Sequence, residues 1–130
     1  MAFVLSLFAV APIFAMAPTN AALAAKLGGE WFGEGTVTQN EGGTEKVRCR
    51  VNYKQESEKV YGVTAVCAST SKKMNQTGEL LEVRPGVYSG EFNLTQFDIS
   101  GRVRVVVEGD EQTVTFKSAK GEGEVVLTRR

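Results

Sequence analysis

Thr44-Glu45-Lys46-Val47-Arg48-Cys49-Arg50-Val51-Asn52-Tyr53-Lys54 alternates without a break: Val47, Cys49, Val51 and Tyr53 hold one set of positions, and Lys46, Arg48, Arg50 and Asn52 hold the other. Successive side chains of a strand point to opposite faces, so this period of two places an apolar face on a core and a charged face in water. A second alternating run, Val60 to Ser69, follows after Gln55 to Lys59. Folding the two runs about Glu58 sets Cys49 opposite Cys67, Val51 opposite Ala65 and Tyr53 opposite Val63. Opposed residues of a non-hydrogen-bonded antiparallel pair have Cα atoms about 4.5 Å apart, within disulfide reach. A metal pair or a reactive thiol are the other uses of two cysteines. With 2 Cys and no His in the chain, zinc is short of ligands and a catalytic thiol lacks its usual imidazole base. A structural Cys49–Cys67 disulfide is therefore expected.

The same alternation continues in both directions. Further strands are expected at Glu30 to Gln39, Thr77 to Arg84, Val87 to Leu94, Asp98 to Val107, Thr113 to Ser118 and Glu122 to Arg129. Turn signals separate them: Asn40-Glu41-Gly42-Gly43, Arg84-Pro85-Gly86, Glu108-Gly109-Asp110 and Lys120-Gly121. Every connection is short enough for a hairpin, and no stretch after residue 25 has helical periodicity. About eight strands in an antiparallel meander escape the hazard of exposed edges most simply by closing into an up-and-down β-barrel. A two-sheet β-sandwich is the alternative.

Ahead of this domain, Met1 to Ala25 contains no charged side chain and is rich in Phe, Val, Leu, Ala, Met and Ile. It tapers into Asn20-Ala21-Ala22-Leu23-Ala24-Ala25-Lys26, an apolar run followed by small residues, as in a signal peptide. Residues 1–24 are expected to be a leader cleaved after Ala24, with Ala25 the close alternative, leaving 25–130 as one domain of about 105 residues. No Lys or Arg follows Met1, so the usual basic start of such a leader is missing. Pro12 and Pro18 interrupt the run, which suits a processed segment better than a permanent anchor. The expected location is therefore periplasmic or secreted, with no membrane span after processing. The 15 basic residues equal the 15 acidic ones, which argues against attraction to nucleic acid or anionic membranes.

Gly29-Glu30-Trp31-Phe32-Gly33-Glu34-Gly35 opens the first strand. Glycines alternating on the Trp31 face clear side chains where a curved strand crosses the end of a barrel, and the indole plugs that end. In an eight-stranded meander the last strand returns beside the first, so Arg129 can lie over the Trp31 face. A G-x-W near the start with an arginine after the last strand resembles the calycin group, the lipocalins and their relatives. The short G-x-W-x-G-x-G opening is also similar to the avidins and to small exported lipocalin-like proteins of alphaproteobacteria. In the last group a basic-Cys-basic strand (here Arg48-Cys49-Arg50), a Cys-Ala-Ser (Cys67-Ala68-Ser69) and an Ile-Ser-Gly (Ile99-Ser100-Gly101) recur. The resemblance spans nearly all of 25–130 and implies a bacterial host and closure of one pole by Gly29, Trp31 and Arg129, to which the strand-curvature argument adds Gly33 and Gly35; it implies no ligand contacts. The chain is shorter than a typical lipocalin, and its single Trp leaves no avidin-type biotin set. Nitrobindin-like haem barrels share the opening but need a histidine, which is absent here.

With Trp31 at the closed pole, the open pole falls to the loops Asn40–Gly43, Ser69–Gln76, Thr95–Phe97 and Ala119–Glu122. Candidate open-end residues are Asn40, Lys72, Lys73, Met74, Asn75, Gln76, Gln96, Phe97 and Lys120. Loops of this kind commonly carry recognition, although a solvated hairpin loop is the simpler account. No catalytic set is expected: without histidine there is no Ser-His-Asp relay, and Glu30, Glu34 and Glu91 sit at wet-face positions. No metal and no cofactor are expected. The favoured function is a non-enzymatic exported barrel that binds a small apolar ligand at its mouth. The alternative is a protein-interaction module, such as a lysozyme or protease inhibitor, or a structural protein of the envelope.

Overall fold

In a computed structural model, which describes residues 9–13 and 27–129, the chain forms β1 (Gly29–Gln39), β2 (Gly43–Gln55), β3 (Val60–Ala68), β4 (Lys73–Arg84), β5 (Val87–Leu94), β6 (Ile99–Glu108), β7 (Glu111–Ser118) and β8 (Gly121–Arg129). The strands follow one another around a closed antiparallel up-and-down barrel. Closure comes from β1 pairing with β8, from Trp31 opposite Arg129 through to Gln39 opposite Gly121. Every strand then has two hydrogen-bonded neighbours and no edge is left open. The sandwich alternative is thereby excluded. The leader expected over residues 1–24, with its cleavage point, lies largely outside the described residues, and residues 9–13 carry no secondary structure.

The β2–β3 hairpin has the expected register, with Cys49 opposite Cys67, Val51 opposite Ala65 and Tyr53 opposite Val63. Cys49 and Cys67 are disulfide-bonded, with Cα atoms 4.1 Å apart. Both face the barrel interior among Val47, Val51, Tyr53, Tyr61 and Ala65, all buried.

One boundary differs in a way that changes the site. β4 starts at Lys73 rather than Thr77, so the connection after β3 is a tight turn in which the Ser69 N–H donates to the Lys72 carbonyl (2.8 Å). Lys73, Met74, Asn75 and Gln76 are therefore strand residues, paired with Ala68, Cys67, Val66 and Ala65. Low intrinsic strand preference hides this stretch from sequence reading, and cross-strand pairing overrides that preference. β7 likewise begins at Glu111, ahead of the expected Thr113.

The glycine pattern of β1 serves the closing seam. A Cβ on Gly33 would lie 1.8 Å from the Val126 carbonyl oxygen, and one on Gly35 would lie 2.0 Å from that of Glu124. Only hydrogen at these Cα atoms lets β8 approach closely enough to complete the ring.

Candidate functional site

The two poles of the barrel are built differently. At one, Leu27 and Trp31 are fully buried. The indole N–H of Trp31 donates to the Leu27 carbonyl (2.8 Å), which folds the residues before β1 over the barrel end. The Arg129 guanidinium lies 4.4 Å from the Trp31 ring centroid and donates from Nη1 to the Gly28 carbonyl (2.8 Å). Gly29 reaches this arrangement at φ 109°, a conformation costly for any residue with a Cβ. Sequence reasoning placed Gly29, Trp31 and Arg129 at this pole, but not Leu27 or Gly28. It missed Gln112, which is buried and accepts a hydrogen bond from the Tyr53 hydroxyl. The signal was its place in the inward series Gln112, Val114, Phe116, disguised by its polarity.

Three tyrosines complete this end. Tyr61 and Tyr88 meet edge-to-face with centroids 5.4 Å apart. Burial pushes the Tyr53 phenol well above its ordinary pKa. Burial, then the charge of Glu82 and the neighbouring Tyr61, raise Tyr88 to about 12. Tyr61 is raised by burial and by Glu82. These groups stay neutral at physiological pH and act as apolar mass with one polar tip each. This pole is plugged.

The opposite pole is a cleft of about 350 Å³. Its walls are apolar and come mostly from strand ends: Val37, Met74, Phe92, Leu94, Ile99 and Phe116, with Phe97 from the 3₁₀ turn Thr95–Phe97. Gln39, Asn40, Lys72, Gln76, Ser118 and Lys120 supply polar groups around them. Asn40 fastens two of the mouth loops together, its side-chain amide donating to Ala119 (2.8 Å) and its backbone N–H to Lys120 (3.0 Å). Lys72 lies 5.7 Å from the Phe97 ring centroid, linking the β3–β4 turn to the 3₁₀ turn. Gln96 is exposed and accepts from the Asn75 backbone N–H (3.2 Å).

Of the expected open-end residues, Asn40, Lys72, Met74, Gln76, Phe97 and Lys120 thus line the mouth. Lys73 and Asn75 do not: strand alternation turns both outward, where they are exposed. Met74 is half-buried and packs on the core. Sequence reasoning looked to loops, and so passed over Val37, Phe92, Leu94, Ile99, Phe116 and Ser118. Their inward alternation was legible, but which end of each strand stayed unfilled was not.

Beneath the mouth, Phe92 and Phe116 meet edge-to-face with centroids 5.8 Å apart. Below them is a mainly apolar void of about 50 Å³, walled by Val51, Val63, Val103, Val114 and the Cys49–Cys67 pair, with Phe92, Phe116 and Gln76 shared between it and the mouth. Among the described residues no cluster of three His, Cys, Asp or Glu is placed to hold a metal ion. Glu34 forms an exposed ion pair with Arg48 (3.3 Å), as a wet-face residue should. No helix among the described residues is long and apolar enough to cross a membrane.

No protein-family model and no curated protein matches the sequence. Solved structures do resemble the fold. A redesigned β-barrel, mFAP1, bound to DFHBI, superposes with a TM-score of 0.69 at 13% identity, over 82% of this chain and 98% of that one. A de novo designed fluorescence-activating β-barrel gives a TM-score of 0.64 at 18% identity, over 87% of this chain and 100% of that one. Rv2717c from M. tuberculosis gives 0.61 at 17% identity, over 89% and 99%. At such identities the likeness is one of fold: a small, closed, lipocalin-like eight-stranded barrel.

Proposed function

We propose that this chain is an exported, non-enzymatic barrel that binds a small, largely apolar molecule in its open mouth. The observation that carries the reading is the mouth itself. At about 350 Å³ it exceeds the roughly 300 Å³ lower bound of ordinary ligand pockets, and it combines apolar walls with a few convergent polar groups. A barrel of similar fold is bound to DFHBI, which supports the use of this architecture for small ligands. An inward disulfide suits an oxidising compartment and supports export with the leader removed. The bacterial envelope is the proposed location.

Native mass spectrometry of protein isolated from its own envelope tests both parts at once. The expected species starts at Ala25 and carries a bound small molecule; bare protein in every preparation, or an intact residue 1, would contradict the reading. A simpler test uses 1-anilinonaphthalene-8-sulfonate, whose fluorescence rises in apolar sites. Ile99 lines the mouth, so Ile99→Asp should weaken dye binding at least tenfold, because a carboxylate there must be desolvated on binding. Equal binding by both proteins would place the dye elsewhere.

Phe97, 43% exposed at the rim, favours a second reading in which an aromatic loop tip docks on a partner protein. Recovery of a stoichiometric protein complex in the same mass spectra would establish it in place of the first.

A further inference from the structure

Phe92, Phe116 and Gln76 line both the mouth and the void beneath it. The two rings therefore stand between the compartments. Their placement depends on glycine. Phe92 is opposite Gly101 on β6, and Phe116 is opposite Gly123 on β8. A Cβ on Gly123 would lie 2.3 Å from Cζ of Phe116, and one on Gly101 would lie 2.8 Å from Cε1 of Phe92. Each ring thus occupies the space a neighbouring side chain would otherwise take, lying against bare backbone. The edge-to-face contact, at 5.8 Å between centroids, braces one ring with the other.

Resting on the reading of the mouth as the binding site, we propose that Phe92 and Phe116 form a fixed aromatic floor that sets ligand length. Compact, ring-bearing apolar molecules seat on the floor, whereas extended acyl or alkyl chains are stopped by it. The void of about 50 Å³ below is lined mainly by apolar side chains and is small beside the mouth of about 350 Å³. Truncating Phe116 joins the void to the mouth and lengthens the site along the barrel axis.

The test is displacement of 1-anilinonaphthalene-8-sulfonate by straight-chain 1-alkanols from butanol to dodecanol, with indole as the compact comparison. Affinity in the wild-type protein should rise about fourfold per methylene and then stop rising partway through the series. In Phe116→Ala the rise should continue for at least two more methylenes, a gain of about tenfold or more for the longest alcohols, while indole binds more weakly than to wild type. Phe116→Leu, a smaller truncation, should shift the limit in the same direction and serves if alanine unfolds the barrel. The same length limit in wild type and variants, or no limit in wild type, would overturn the floor. If the dye binds none of these proteins, the mouth reading itself fails and the floor falls with it. Dye binding with an unmoved limit removes the floor alone.

Discussion

Trp31→Ala should lower the stability of the barrel by about 4 kcal/mol, within the range for deleting a fully buried large aromatic side chain. The indole is 0% exposed, so its truncation leaves a cavity at the closed pole that the rigid strand ends cannot fill. Two further losses follow. The Leu27 carbonyl loses the donor that holds it, and the Arg129 guanidinium loses the ring it lies over at 4.4 Å. The second effect is worth about 1 kcal/mol, so Arg129→Ala alone should cost distinctly less than Trp31→Ala. Urea denaturation followed by far-ultraviolet circular dichroism measures both, because the variant lacks the chain's single tryptophan. A Trp31→Ala midpoint equal to wild type would show that the pole is closed by something else.

Replacing both Cys49 and Cys67 with alanine is expected to cost about 3 kcal/mol. Sequence separation is 18, and in the chain-entropy model a loop of this size restricts the unfolded chain by about that amount. The two sulfurs also help wall the inner void, so alanine enlarges an existing cavity and adds to the loss. Reduction has a different signature from substitution. Both cysteines are buried, at 3% and 4% exposure, so dithiothreitol should leave the native bond intact until denaturant opens the barrel. The check is thiol labelling against urea concentration. Labelling of folded protein at the rate of the unfolded chain would contradict an interior disulfide, and identical denaturation midpoints with and without the bond would contradict its stabilising role.

Both effects were legible in the sequence because each depends on pairs that register fixes. Once Val47, Cys49, Val51 and Tyr53 are assigned one face, a single hairpin centre determines every opposed residue, including Cys67. A slip of one residue would turn the whole apolar face to solvent. The Trp31–Arg129 meeting is similarly a consequence of counting strands around a ring. By contrast, the start of β4 was not legible, because Lys73-Met74-Asn75-Gln76 reads as polar loop until β3 is there to pair with it. Gln112 was obscured for the related reason that its burial is supported by one specific partner, Tyr53, distant in sequence.

What the amino-acid order determined by itself is therefore the all-β meander, its disulfide and the residues of its plugged pole, since period-two alternation, turn residues and paired cysteines are local signals or follow from register; closure into a ring rather than a sandwich was decided by the pairing of β1 with β8. Tertiary structure alone decided that the other pole holds a cleft of about 350 Å³ with Phe92 and Phe116 beneath it. A strand's sequence states which side chains point inward, but not whether inward side chains from eight strands fill the same space. That depends on where rings such as Phe116 find bare backbone such as Gly123 to lie against, a contact between neighbours that exists only once the ring of strands has closed.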